Sequence, residues 1–246
     1  MADTGLRHAY DGAVLILAID TSATASAALL KNRTPGGAAQ VLASSHTDET
    51  NTHSEVLAPG IQGLLAESGT VGTDIDAIVV GVGPAPFTGL RVGIATARSL
   101  GFAWGIPVHG AMSLNALAHD VLVDDSPGGD DDQEFTVAID ARRREVYWAR
   151  YDAGGALVDG PHVGAAEGVP AGPVYGAGAG LYADRLSAAG ARVAERFAGR
   201  QPSAASLGAW ALGELGRGRD LLPTTPLYLR ESDAKVPAQM KGAPAS

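Results

Sequence analysis

Two short apolar segments that end in the same three residues constrain the fold more than any other feature of this sequence. The first, AVLILAID, covers residues 13–20, and the second, FTVAID, covers 135–140. Continuously apolar runs of this length are typical of strands buried on both faces of a sheet. Each run is followed by a polar turn and a further predicted strand, so we interpret the chain as two related, duplicated units.

The remaining hydrophobic patterns indicate an α/β protein. In the first half, strands are predicted at 25–31, 40–46, 77–81 and 107–109, and helices at 52–69 and 88–104. In the second half, strands are predicted at 145–151 and 156–159, and a helix at 203–215. Pro59 is expected to start or kink its helix, and Thr88 is expected to cap the helix that it begins.

A stretch rich in acidic residues separates the two halves. Residues 124–134 contain six acids, two glycines and a proline, with no basic residue, which favours a mobile loop over a calcium site because the acids lack EF-hand spacing. We therefore predict one domain at 13–112 and a second at 113–232, with the helix at 203–216 packing back on the first. Residues 1–12, 124–134 and 236–246 are predicted to be flexible.

Composition excludes several classes of protein. The chain has 246 residues, of which 46% are hydrophobic and 18% charged, so it is neither disordered nor fibrous. With no cysteine, it has no disulfide, thiolate metal site or thiol nucleophile. The six histidines include no pair at metal-binding helical spacing, and neither a P-loop nor a Gly-x-Ser-x-Gly elbow is present. We therefore expect no bound metal.

The charge balance argues against strong nucleic-acid binding by the isolated chain. Its 27 acidic and 18 basic residues give a formal net charge of −9, which does not favour binding to a polyanion. The one basic cluster is Arg142 to Arg144. The first apolar run, at 13–19, is too short to span a membrane, so we expect a cytoplasmic protein.

Two polar or glycine-rich turns follow predicted buried strands. Asp20-Thr21-Ser22 lies where open sheets place ligand-binding groups, and Gly81 and Gly83 lead to a helix whose first amides could bind an anion. Each turn has an equally simple structural interpretation, as a strand-ending turn or a strand-to-helix connection. The residues themselves leave both interpretations open.

The two predicted helices of the first half have small or apolar residues on more than one side. In the second helix, Leu90, Ile94, Ala97 and Trp104 share one side, while Gly93, Ala95, Gly101 and Phe102 lie elsewhere. Both helices either cover only their own sheet or form a patch that another subunit closes. The pattern does not distinguish these alternatives.

Several segments together resemble the TsaB (YeaZ) family of tRNA threonylcarbamoyladenosine synthesis. They are LAIDTSA, HSEVLAPGIQGLLAESG, the run from DAIVVGVGPAPFTGLRVG to GIPVHG, and PLYLR, over residues 14 to about 230. The family pattern GPGSFTGLRIG is matched except at Ala85 and Pro86. The resemblance implies an actin-like ATPase fold of two ribonuclease-H-like domains, each with a mixed sheet flanked by helices. Vestigial nucleotide motifs are then expected at Asp20, Thr21, Ser22, Gly83, Thr88, Gly176 and Gly178, with no cofactor bound.

The resemblance also implies a non-catalytic scaffold that activates a TsaD-like catalytic subunit. A TsaE-like ATPase joins that assembly, a self-dimer forms when TsaD is absent, and tRNA is bound only through the complex. The metal-binding histidines of TsaD align with Ser113 and Leu117. The partner interface is expected on the two helices, at Val56, Leu57, Leu64, Leu90, Arg91, Ile94, Ala97, Arg98 and Gly101. Ala97→Arg would then abolish association if the chain still folds, or would unfold the chain if position 97 faces its own sheet.

Two enzyme interpretations remain as alternatives. The main one is a small nucleotide-binding kinase or ATPase of the same fold, which would use Asp20 and the glycine turns. It is weakened because Asp140 is followed by Ala141 and three arginines rather than by glycines. A metallopeptidase would lack both metal ligands and a nucleophile.

Overall fold

A computed structural model describes residues 13–34, 37–47, 53–124 and 134–230 of the chain. Every structural statement below concerns these residues. The predicted flexible segments 1–12 and 236–246, and all but the two ends of the predicted loop 124–134, lie outside them.

The first half forms a five-stranded mixed sheet with the order β3-β2-β1-β4-β5. β1 pairs antiparallel with β2, which pairs antiparallel with β3, whereas β4 is parallel to both β1 and β5. The bounds are Val14–Asp20 for β1, Ser26–Asn32 for β2, Gln40–His46 for β3, Ala77–Gly81 for β4 and Val108–Ala111 for β5.

Helices cover both faces of this sheet. Helix α1 (His53–Ser68) and helix α2 (Phe87–Trp104) pack on the face that includes Leu17 and Ile19. Helix α6 (Ala204–Gly216) packs on the opposite face, against Ile16 and Ala18. Alternate residues of β1 therefore enter two separate cores, which explains why the strand is apolar without interruption.

The second half repeats the same topology. Its sheet has the order β10-β9-β6-β7-β8, with β6-β7 and β7-β8 antiparallel and β6-β9 and β9-β10 parallel. The strands are β6 Phe135–Asp140, β7 Glu145–Tyr151, β8 Leu157–Ala165, β9 Gly172–Tyr175 and β10 Ala191–Val193. The helices of this half are α3 Leu114–Leu122, α4 Ala177–Leu181 and α5 Ala183–Ala188.

The segment that follows α6 touches both sheets. Leu222 pairs with Gly110 of β5, and the Leu227 N–H donates to the Val82 carbonyl at 2.7 Å. At its end, the Arg230 guanidinium donates to the carbonyl of Ala141, beside β6, at 2.8 Å. We refer to residues 222–230 as the C-terminal strap.

Most predicted elements are confirmed, with three corrections. Thr88 does not cap α2, because the helix begins at Phe87 after Pro86 and Thr88 lies inside the first turn. Pro59 lies within α1, so it does not start the helix, and the alternative that it kinks the helix stays a prediction. β8 extends to Ala165, beyond the predicted end at 159. Across the described ranges, no helix is both long and apolar enough to cross a membrane.

Candidate functional site

The turn after β1 folds inward. Asp20, Thr21 and Ser22 are all buried. The Asp20 Oδ1 atom accepts hydrogen bonds from the Ser22 N–H at 2.9 Å and from the Ser22 hydroxyl at 2.6 Å, and the Ser26 hydroxyl donates to the Asp20 carbonyl at 3.2 Å. A carboxylate that accepts from the backbone two residues onward stabilises a tight turn. Asp20 therefore has a structural role here.

Thr21 connects this turn to helix α2. Its hydroxyl donates to the Gly89 carbonyl at 2.9 Å. On the next turn of the helix, a methyl group at Gly93 would overlap the Thr21 side chain. Gly93 thus allows α2 to lie directly on the turn. The Thr21 hydroxyl is therefore used in a hydrogen bond within the chain, to the Gly89 carbonyl.

The glycines at the end of β4 and just after it bring the first turn close to the start of α3. A methyl group at Gly81 would overlap Asp20 Oδ2 and lie 2.7 Å from the Ser113 hydroxyl oxygen. Gly83 has φ +99° and precedes a cis peptide bond to Pro84, and its carbonyl accepts from the Ser113 N–H at 2.8 Å. The buried Ser113 hydroxyl makes no hydrogen bond to any described residue.

The two positions that align with TsaD metal ligands lie one turn apart at the start of α3. Ser113 precedes the helix, and Leu117 is fully buried in the core of the second half. Among the residues that the structure describes, no group of three or more histidines or acids is placed to hold a metal ion. The absence of a metal stays a prediction.

The glycine pair of the second half has a packing role. Gly176 has φ +102°, and a methyl group there would lie 2.5 Å from the Ala138 carbonyl oxygen. A methyl group at Gly178 would lie 2.6 Å from the carbonyl carbon of Ile139. These close approaches let α4 pack directly on β6, and the Ala177 N–H already donates to the Arg200 carbonyl at 2.8 Å.

Asp140 occupies in the second unit the place that Asp20 has in the first. Its Oδ1 atom accepts from the Arg142 N–H at 2.9 Å, again two residues onward, and from the Tyr182 hydroxyl at 3.0 Å. Burial and the bond to Asp140 both raise the pKa of Tyr182. Both strand-ending aspartates thus close turns.

Five of the nine predicted interface residues lie inside the core of this chain. They are Leu57, Leu64, Leu90, Ile94 and Ala97, each at most 4% exposed and all packed against the first sheet. Gly101 is also buried, because it approaches Val108 of β5 too closely for a methyl group to fit. These six residues are covered within this chain, so an interface built on them stays a prediction that would require the helices to leave their own sheet.

The other three predicted interface residues remain accessible. Val56 is half-buried on α1, and Arg91 and Arg98 are exposed on α2. The Arg91 Nε atom donates to the Tyr228 hydroxyl at 2.9 Å, and Arg98 donates to the side chain and carbonyl of Thr224 at 2.9 and 2.8 Å. Both arginines therefore also hold the C-terminal strap.

The outward side of the helix pair carries a residue that the predicted interface omitted. Phe102 is 93% exposed. We define the outer helix face by its exposed residues: Ala58, Gln62, Gly63 and Ala66 on α1, and Arg91, Ala95, Arg98 and Phe102 on α2. The α2 members recur every three or four residues, which is helical spacing. This spacing is the feature of the sequence from which the exposed side of α2 could have been predicted.

Comparison with known proteins places this architecture in a family. The family model for TsaD, tRNA N6-adenosine threonylcarbamoyltransferase, matches residues 40–166. An uncharacterized protein of Mycobacterium tuberculosis is 40% identical over 89% of this chain and 93% of its own length. The tRNA threonylcarbamoyladenosine biosynthesis protein TsaB of Escherichia coli is 36% identical over 55% of this chain and 54% of its own length. The YeaZ structure from Pseudomonas aeruginosa superposes with a TM-score of 0.70 and 29% identity, over 88% of this chain and all of that chain.

The repeated strand order and the helices that flank both sheets define a protein of the actin-like, two-domain ribonuclease-H-like class. Within that class, the chain belongs to the TsaB (YeaZ) family.

Proposed function

We propose that this chain is a scaffold and activating subunit required for tRNA N6-threonylcarbamoyladenosine modification, and that it acts by binding a TsaD-like catalytic subunit through the outer helix face. Family membership and the names of the curated TsaB relatives support the pathway. The observation that carries the binding surface is the exposure of Phe102, on the same side of α2 as the exposed Ala95.

Phe102 supplies the apolar anchor of this surface. Burying a phenylalanine side chain stabilises an interface by roughly 1.5–3 kcal/mol, and such anchors cluster at the centres of interfaces. A single exposed aromatic residue is common, but this one lies on the same helix face as Ala95, a small residue that is also exposed. The arginines of this face supply a charged rim.

Gly63 supports close approach by a partner helix. It lies within α1, and a methyl group there would meet no atom within 4 Å. Because of this open space, packing within the chain does not require a glycine at this position. A glycine inside a helix nevertheless costs about 1 kcal/mol relative to alanine. Small residues let helix axes approach closely, which favours a helical partner.

The same face would serve in a self-dimer when a TsaD-like subunit is absent, and a TsaE-like ATPase joins the assembly. The tRNA is bound through the complex. A non-catalytic role is supported by the use of Asp20 and Asp140 in turns and of the glycine motifs in packing. Among the described residues, no specific observation favours the alternative of a nucleotide-binding kinase or ATPase.

Phe102→Glu tests the proposed surface. The variant should fold, because the side chain is exposed, and should lose at least about tenfold in affinity for the TsaD-like subunit encoded in the same genome, which corresponds to about 1.4 kcal/mol. Size-exclusion chromatography with light scattering and titration calorimetry measure the complex. The matched control is Leu181→Glu, at a leucine that is 60% exposed on α4. Equal affinities for both variants and the unaltered chain would contradict the proposal.

A further inference from the structure

The guanidinium group of Arg98 is held at two of its nitrogen atoms by one residue of the C-terminal strap. Its Nε atom donates to the Thr224 hydroxyl at 2.9 Å, and its Nη2 atom donates to the Thr224 carbonyl at 2.8 Å. Both donors belong to the same edge of the planar group. The orientation of the Arg98 side chain is therefore fixed from one side, although the residue is exposed.

The strap is fixed by contacts that do not involve Arg98. Leu222 exchanges two backbone hydrogen bonds with Gly110 of β5, at 2.6 and 2.9 Å. The Leu227 N–H donates to the Val82 carbonyl at 2.7 Å, and the Leu227 side chain packs against cores of both halves. Because these contacts lie on both sides of Thr224, we interpret the strap as the fixed element and Arg98 as the side chain that it orients.

The second edge of the Arg98 guanidinium group, formed by Nη1 and Nη2, remains available. Within the described ranges, no acid forms an ion pair with Arg98, and no acceptor is bound by its Nη1 atom. Helix α2 contains no acidic residue, and neither does the strap. A guanidinium group presents its donors as a planar fork that matches the two oxygens of a carboxylate. The available edge is therefore suited to a carboxylate from outside the chain.

Arg98 lies on the outer helix face beside the proposed apolar anchor. Phe102 follows it by four residues, about one helical turn, and Ala95 precedes it by three. All three residues are exposed. A partner that covers Phe102 therefore also covers Arg98 and removes water from its charge. Because a buried charge without a counter-ion is costly, the partner surface has to supply an acid at this point.

We propose that Arg98 binds a carboxylate of the TsaD-like subunit and that Thr224 is the positioning residue for this contact, an inference that rests on the proposed function. The strap holds the guanidinium group in one orientation before association, so less side-chain freedom is lost when the complex forms. The carboxylate accepts two charge-assisted hydrogen bonds from the available edge. Association thereby depends on the strap, which also contacts the second sheet through Arg230.

Three substitutions separate a binding role of Arg98 from a structural one. Arg98→Met removes the charge and keeps a long side chain. Thr224→Val removes the hydroxyl and keeps the shape of the side chain, whereas Thr224→Ser keeps the hydroxyl. The matched control is Arg217→Met, at an arginine that follows α6 and whose side chain is 61% exposed. Titration calorimetry measures the affinity of each variant for the TsaD-like subunit at several salt concentrations.

We expect Arg98→Met to weaken the complex about tenfold and to reduce the loss of affinity between roughly 50 and 500 mM salt. Thr224→Val should weaken the complex about threefold, whereas Thr224→Ser and the control should keep the affinity of the unaltered chain. In the Arg98→Met background, Thr224→Val should cause no further loss, because Thr224 acts through the arginine. Melting temperatures, measured in parallel, distinguish a loss of binding from a loss of stability.

Three results would overturn the inference. The first is an equal affinity of Arg98→Met and Arg217→Met for the TsaD-like subunit. The second is a loss caused by Thr224→Val that persists in the Arg98→Met background, since Thr224 would then act independently of the arginine. The third is an effect of Arg98→Met only on the association of two copies of this chain, measured by size-exclusion chromatography with light scattering, because the occupant would then be a second copy.

Failure of the proposed function gives a different result. If Phe102→Glu weakens the complex and Arg98→Met does not, the proposed surface is supported and the inference alone is wrong. If neither variant weakens the complex, the proposed surface is wrong and the inference is wrong with it. If the unaltered chain forms no complex with the TsaD-like subunit, the proposed function and the inference are both overturned.

Discussion

At the scale of single residues, burial separates core from surface within one turn of α2. Ala97 is fully buried and packs with Ile94 against the first sheet, whereas Ala95 is exposed. Residues that are two positions apart on an α-helix differ by about 200° around its axis. Ala95 and Ala97 therefore face nearly opposite directions. Identical residue types here have different roles, and only their direction distinguishes them.

Ala97→Arg is therefore expected to unfold the chain and not to act on a partner interface. A long charged side chain at this position would overpack the core and bury an unpaired charge, which together cost more than about 3 kcal/mol. Circular dichroism during urea denaturation measures the loss of stability.

Ala95→Arg is the matched control for this substitution. It should keep the unfolding midpoint of the unaltered chain and weaken binding to the TsaD-like subunit. A folded Ala97→Arg chain with unchanged stability would show that α2 is rotated relative to its sheet.

At the scale of elements, glycines decide how closely α1 and α2 approach their neighbours. Gly93 lies against Thr21, and Gly101 lies against Val108, with no room for a methyl group at either position. Gly63 lies on α1 and faces open space. The same residue type thus serves internal packing in one helix and leaves an external surface accessible in the other.

Substituting alanine at these glycines should change stability in opposite directions. Gly93→Ala should destabilise the chain by about 1–3 kcal/mol, because the methyl group would force Thr21 away from α2. Gly63→Ala should stabilise the chain by about 0.5–1 kcal/mol through helix propensity. Urea unfolding monitored by circular dichroism compares both variants with the unaltered chain, and a stabilising effect of Gly93→Ala would contradict the described packing.

At the scale of the whole molecule, the two halves repeat one topology, and the C-terminal strap contacts both. Each half closes the turn after its central strand with an aspartate that accepts a hydrogen bond from the backbone two residues onward. The net charge of −9 disfavours the binding of a polyanion to the molecule as a whole.

The isolated chain should therefore bind tRNA only weakly. We expect a dissociation constant above about 1 μM at roughly 150 mM salt, because a chain of net charge −9 is repelled by the tRNA phosphates. Anisotropy with labelled tRNA measures the affinity, and a submicromolar dissociation constant would contradict this expectation.

The purified chain should also hold no stoichiometric metal. Elemental analysis measures the metal content, and one iron or zinc per chain would contradict this expectation.

The sequence alone determined the elements whose pattern is local. The buried strands at 77–81 and 145–151 and the edge strand at 40–46 were predicted with the bounds that the structure shows. The duplication was also predictable, since both central strands end in Ala-Ile-Asp. Helix α3 was not predicted, although Asn115 and His119, four residues apart, give this short helix a polar side.

Tertiary structure decided which side of each element faces the core. The apolar side of α2 has the same periodicity whether it covers its own sheet or a partner, so the sequence could not assign Leu90, Ile94 and Ala97. The close approaches at glycines, such as that of Gly93 to Thr21 and that of Gly81 to Ser113, likewise depend on residues that are distant in the chain and meet only after folding. Hydrophobic patterning is a local property of the sequence, whereas the partner of each apolar or charged side chain is set by packing between elements.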